Sequence, residues 1–87
     1  MKIDNKKFVY LISPNRIKGK FYQNLDKIFK TGKVSFFQMR LKRYSFEQKI
    51  LIGKKIKKIC KKNNVKFLIN DEPLLAKKLK ADGCHLG

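Results

Sequence analysis

Apolar residues fall along this chain in short runs and in periodic stripes, and the two kinds alternate. Residues 8–12 read Phe-Val-Tyr-Leu-Ile and stop at Ser13-Pro14-Asn15, a β-branched and aromatic strand followed by turn chemistry. Tyr22, Leu25, Ile28 and Phe29 then recur at the spacing of one helix face until Thr31-Gly32, where the glycine can end the helix. An apolar run that begins at Val34 predicts a second strand over 34–40. Ser45-Phe46-Glu47-Gln48 has the capping-box pattern, in which Ser accepts from the first turn and Gln reaches back to the cap, so a long helix starts there. Ile52, Ile56, Ile59 and Cys60 form its apolar stripe, and Lys54, Lys55, Lys57, Lys58, Lys61 and Lys62 fill the opposite arc as far as Asn63-Asn64. Residues 66–70 are the third strand and 71–79 a short helix. Asp82-Gly83 turns the chain into Cys84-His85-Leu86.

The order is therefore strand, helix, strand, helix, strand, helix, strand. Strands that read as nearly continuous apolar runs, separated by helices, predict a parallel sheet of the α/β class. In such folds chemistry collects at the carboxyl ends of the strands. Two polar clusters stand at those ends.

The first is Gln38-Met39-Arg40-Leu41-Lys42. Side chains of a strand alternate in direction, so Gln38, Arg40 and Lys42 share one side while Phe37, Met39 and Leu41 pack the other. Successive groups on one side stand roughly 6.5 to 7 Å apart. An amide, a guanidinium fork and an ammonium at that spacing can span a multiply charged oxyanion such as a diphosphate. The competing reading is a solvated strand terminus. The second cluster is Asn70-Asp71, where the run Phe67-Leu68-Ile69 stops; here the competing reading is a helix N-cap ahead of Pro73.

Eighty-seven residues with 43% apolar content suit one small domain with a thin core, or part of a larger one. No apolar stretch approaches the roughly 20 residues that span a bilayer, and the polar start Met1-Lys2-Ile3-Asp4-Asn5-Lys6-Lys7 is no secretory signal. The expected location is the cytoplasm. There Cys60 and Cys84 are reduced, buried thiols; Cys84 and His85, being adjacent, point to opposite faces and form no zinc pair. The net charge of +17 is the footprint of a nucleic-acid binder, but 20 of the 23 basic residues are Lys and only Arg16, Arg40 and Arg43 are Arg. Base and phosphate recognition favours the Arg fork. The scarcity of alanine, present only at Ala76 and Ala81, matches an A/T-rich coding sequence instead. The lysine arc thus reads as a solvated helix face and not as a specific nucleic-acid site.

With these residues in place, the chain resembles the N-terminal half of the thiamine-phosphate synthase family of (β/α)8 TIM-barrel enzymes. The likeness rests on the strand at Tyr10-Leu11-Ile12, the Gln-x-Arg-x-Lys pattern at Gln38, Arg40 and Lys42, the pair Asn70-Asp71, and the segment Ala81-Asp82-Gly83-Cys84-His85-Leu86-Gly87. Each motif alone is weak; their order and spacing are specific. The resemblance implies four parallel strands alternating with three helices, a partial barrel domain over 1–87 that ends in the fourth strand. It implies an enzyme of thiamine biosynthesis that joins hydroxymethylpyrimidine diphosphate to thiazole phosphate and releases diphosphate. Gln38, Met39, Arg40, Leu41 and Lys42, partly through their backbone, would hold the pyrimidine diphosphate together with Asn70, and Asp71 would ligate Mg²⁺. Departures are Leu41, where the family has Glu, and Ser13-Pro14, where an acidic residue often follows the first strand. The family's other metal carboxylate and its thiazole-phosphate site lie beyond Gly87, so the expectation is half a site, inactive alone. Four strands of a barrel leave open edges that invite self-association. The alternatives are a thiazole tautomerase of the same barrel class and a Lys-rich nucleic-acid module. For Asp82-Gly83 an ordinary turn, and for His85 a packed core residue, are the expected roles.

Overall fold

Residues 9–87 are described by a computed structural model. Seven elements follow in the expected order: β1 (Tyr10–Ile12), α1 (Phe21–Phe29), β2 (Phe36–Met39), α2 (Phe46–Lys62), β3 (Lys66–Asn70), α3 (Pro73–Leu79) and β4 (Gly83–His85). The strands pair in parallel in the order β1-β2-β3-β4. Phe8, expected in the first strand, and the polar start of the chain lie outside the described residues.

The register explains the two faces of the sheet. Leu11, Phe37 and Phe67 stand side by side, as do Met39, Ile69 and Cys84. This face packs on Leu25 and Phe29 of α1, Ile56 and Cys60 of α2, and Leu75 and Leu79 of α3. Phe29 meets Phe37 edge-on with ring centres 5.8 Å apart. One such residue removed from water is worth about 1.5–3 kcal/mol, so this single seam supplies the core. Burial also raises the pKa of the Cys60 thiol to about 12, with Asp82 adding to the rise. Cys84 is only half-buried, which corrects the expectation of two buried thiols; both are free.

The other face carries Tyr10, Phe36 and Lys66 on one level and Ile12, Gln38, Leu68 and Gly83 on the next. It has no covering layer among the described residues. Tyr10 and Ile12 keep more than half of their surface exposed, and Tyr10 stacks on Phe36 at 4.7 Å. A groove of about 410 Å³, lined by Leu11, Ile12, Pro14, Phe21 and Ile28 among others, opens beside β1. Among the described residues, β1 and β4 each have one unpaired edge.

Local chemistry sets the helix ends. The Gln48 N–H donates to Ser45 Oγ at 3.1 Å and the Ser45 N–H to Gln48 Oε1 at 2.9 Å, the reciprocal box the sequence announced. Within α2, Gly53 is buried because a Cβ there would stand 2.5 Å from Leu79 Cδ1; α2 and α3 approach as closely as a missing side chain allows. The lysine arc of α2 is largely exposed, as expected for a solvated face. No helix among the described residues is long and apolar enough to cross a membrane.

Candidate functional site

The carboxyl ends of β2 and β3 leave the sheet side by side, since Met39 pairs with Ile69 and the next residues are Arg40 and Asn70. Asn70 in turn pairs with His85 at the end of β4. Both polar clusters seen in the sequence therefore reach one end of one sheet.

Gln38 is the unusual member. It lies on the face away from the helices, yet only 7% of it is exposed, and its side-chain amide makes no hydrogen bond among the described residues. Buried polar groups are nearly always paired, and an orphan amide calls for an explanation such as a ligand. Arg40 and Lys42 are exposed, whereas Met39 and Leu41 are buried in the core at 2% and 7%. The alternation expected for 37–42 holds beyond the end of β2. The side chains of Met39 and Leu41 are thus taken up by the core, and the apolar Leu41 fits its position because that position faces the core.

What aims Arg40 and Lys42 comes from the loop after β1. The Ser13 N–H continues the ladder by donating to Gln38 O at 3.0 Å. Ser13 Oγ then accepts from the Arg40 N–H at 2.8 Å and donates to the Arg40 carbonyl at 3.2 Å. Two residues on, the Lys42 N–H donates to Asn15 O at 3.0 Å, and two further the Ile17 N–H donates to Tyr44 Oη at 2.9 Å. Arg16 lies over the Tyr44 ring at 5.8 Å. Sequence reasoning treated Ser13 as a turn residue and a family departure. A hydroxyl directly after an apolar run was its only local signal.

At β3 the chain turns sharply. Asp71 has φ 59, and its N–H donates to His85 O at 2.7 Å. Arg43, just past β2, also has a positive φ of 66. Non-glycine residues in this region cost about 1–3 kcal/mol each and gather at functional sites. The turn overturns the N-cap alternative: a left-handed residue cannot open a helix, so the helix begins at Pro73 and not at 71, with Glu72 at the cap and no side-chain cap bond. Asp71 is exposed, and its Oδ1 accepts from the Gly87 N–H at 3.2 Å. Lys49 of α2 braces the turn through an ion pair to Glu72 at 2.7 Å. Asn70 is half-buried.

Two expected roles are revised. His85 is exposed and not a core residue, because its side of β4 belongs to the uncovered face. Asp82 is more than a turn: its carboxylate accepts from the Phe67 N–H at 2.7 Å and its own N–H donates to Phe67 O at 2.8 Å, tying β4 to β3 at the end far from the site. No group of three or more His, Cys, Asp or Glu suited to a metal occurs among the described residues.

The sequence model of the thiamine monophosphate synthase family matches residues 9–87. The chain belongs to that family. It is 66% identical over 84 residues to a thiamine-phosphate synthase of Pelagibacter ubique, covering 95% of this chain and 41% of the relative. A thiamine-phosphate synthase of Erythrobacter litoralis is 40% identical over 81 residues, 91% of this chain and 38% of that one. The solved structure of a thiamine phosphate pyrophosphorylase from Pyrococcus furiosus superposes with a TM-score of 0.76 at 23% identity, over 88% of this chain and 37% of that one; this likeness speaks for the fold. The thiamine monophosphate synthase family member described here thus spans about two-fifths of the length of the relatives it matches. Its four parallel strands and three helices are the partial α/β barrel that the resemblance implied.

Proposed function

We propose that this chain carries the pyrimidine-diphosphate half of a thiamine-phosphate synthase site, for the transfer that joins hydroxymethylpyrimidine diphosphate to thiazole phosphate and releases diphosphate. The observation that carries the reading is the buried amide of Gln38, which has no hydrogen-bond partner among the described residues and stands two residues before Arg40, one level below Arg40 and Asn70 at the same end of the sheet. A diphosphate oxygen would give that amide its partner. The Arg40 fork would grip two oxygens, the Lys42 ammonium a third, and the backbone of Met39 and Leu41 would line the same segment. Asn70 would add a neutral donor from the neighbouring strand.

Asp71 suits Mg²⁺, which takes one or two carboxylates and completes its shell with substrate phosphates. Its carboxylate is exposed and one oxygen carries no hydrogen bond among the described residues. When bound, the ion supplies charge neutralisation to the diphosphate. The chain's own residues orient that group and meet the negative charge that grows as it leaves, which is electrostatic stabilisation by prepositioned donors. The thiazole phosphate and the remaining metal ligand belong to a barrel segment other than this one, so the isolated chain binds without turnover. Its unpaired β1 and β4 edges and uncovered sheet face are the surfaces for self-association or for the rest of a barrel. The lysine arc stays a solvated surface with no specific nucleic-acid role, and the setting is the cytoplasm.

The test combines the chain with the complementary C-terminal part of the Pelagibacter ubique relative, both substrates and Mg²⁺. Thiamine phosphate should form, and Arg40→Ala or Asp71→Ala should lower the rate by about 10²–10³-fold, the usual loss for one stabilising group. Unchanged rates in both variants would refute the assignment, as would turnover by the chain alone.

A further inference from the structure

We propose that Ser13 is a positioning residue for the diphosphate site, a single hydroxyl that fixes the direction in which Arg40 leaves the sheet. The inference rests on the diphosphate reading above and adds a residue that reading does not contain. Between β1 and β2 the register pairs Ile12 with Gln38, so an unbroken ladder would bring the next residue of β1 level with Met39. The bonds past Ile12 keep that ladder's offset, since the Lys42 N–H donates to Asn15 O as the Phe36 N–H does to Val9 O, but the Arg40 N–H donates to the Ser13 hydroxyl where the ladder would offer it a carbonyl. No residue is gained or lost between the two segments; a side-chain hydroxyl stands in for a backbone acceptor.

The backbone of Arg40 is thus joined to the β1 segment through a side chain. Ser13 Oγ satisfies both of its polar groups, accepting from the N–H at 2.8 Å and donating to the carbonyl at 3.2 Å. Ser13 is itself only 6% exposed and is anchored by its own N–H on Gln38 O at 3.0 Å. One residue thereby ties together the backbone of Gln38 and Arg40. A guanidinium on a flexible stem is useful to a diphosphate only if its Cα is held relative to the other donors. An alanine would leave the Arg40 groups to water, since Arg40 is exposed. The fold would persist while the aim of the fork would spread.

The test titrates the 87-residue chain with inorganic diphosphate in the presence of Mg²⁺, following backbone amide shifts, for the unaltered chain and for Ser13→Ala, Ser13→Thr and Arg40→Ala. Thermal midpoints and amide exchange at Arg40 are measured alongside. Ser13→Ala should weaken diphosphate binding about threefold to tenfold, the worth of one or two hydrogen bonds, and should speed exchange of the Arg40 amide. Ser13→Thr, which keeps the hydroxyl, should restore both. Unweakened binding in Ser13→Ala beside weakened binding in Arg40→Ala overturns the role of Ser13 and leaves the diphosphate reading standing. Failure of Ser13→Thr to rescue also overturns it. Equal binding by Arg40→Ala and the unaltered chain, or no binding by either, sinks the diphosphate reading and the Ser13 role with it. Should Ser13→Ala fail to fold, Ser13→Cys, with its weaker hydrogen bonds, takes its place under the same expectations.

Discussion

Replacing Gln38 by Met should make the chain more stable and its site weaker. The amide is 7% exposed and has no hydrogen-bond partner among the described residues. A buried amide without a partner costs about 1–3 kcal/mol in proteins. Met has nearly the same length and no strong polar group, so Gln38→Met should recover about 1–2 kcal/mol of that cost. With a urea m-value of about 1–2 kcal/mol/M, as small domains show, the unfolding midpoint should rise by roughly 1 M. Inorganic diphosphate with Mg²⁺ should bind the variant roughly tenfold to a hundredfold more weakly, because a hydrogen bond to a charged group is worth about 1.5–3 kcal/mol. Opposite movements of stability and affinity are what a residue kept for function produces. Urea unfolding followed by far-UV circular dichroism and a parallel diphosphate titration read the two quantities on one protein. A lower midpoint would mean that the amide is satisfied in the free chain, and unchanged affinity would mean that it does not face the ligand; either result refutes the reasoning.

Two further outcomes follow from the packing and the ion pairs. Gly53→Ala should destabilise by about 1–2 kcal/mol in urea unfolding, because overpacking against the buried Leu79 costs more than the roughly 1 kcal/mol that Ala gains over Gly in a helix. The same change in a Leu79→Val background should turn stabilising, and an unchanged sign there would exclude the contact as the cause. Asp26 accepts from Lys30 and Asn63, each at 2.9 Å, with Lys62 at 3.5 Å, and the Lys30 bond foremost lowers its pKa from 3.8 to about 2. A carboxylate held below its ordinary value stabilises the fold fully above that value, and the contribution is lost as the pH falls through about 2. Stability should decline across this window, and Asp26→Asn should flatten part of the decline in acid titrations followed by thermal melting; an identical slope in the variant would contradict the assignment.

Much of the fold was legible because its causes are local. The alternation through Phe37, Met39 and Leu41 marked the core side of the second strand, and the Ser45–Gln48 box marked the start of α2 to the residue. The run Phe67-Leu68-Ile69 fixed β3 with its observed bounds. Strand ends were less legible: β2 covers Phe36–Met39 and not 34–40, since strand status requires partners on β1 and β3 and those begin at Tyr10 and Lys66. The short helix lost its first two expected residues because Asp71 takes a left-handed turn, a conformation that Asp tolerates and that its type alone does not demand.

By itself the sequence determined which residues can be apolar, charged or capping, and so the order of strands and helices and the two polar clusters at strand ends. Hydrophobic period and cap chemistry act between residues a few positions apart, where the chain carries its own partner. Only the tertiary structure decided that Gln38 is buried without a partner among the described residues, that His85 is exposed, that Asp71 faces Gly87 and not a helix, and that Ser13 grips the backbone of Arg40 twenty-seven residues away. Those facts depend on which strand lies beside which and in what register. Parallel pairing joins segments through a crossover helix, and no local pattern in either segment names the residue that will stand opposite.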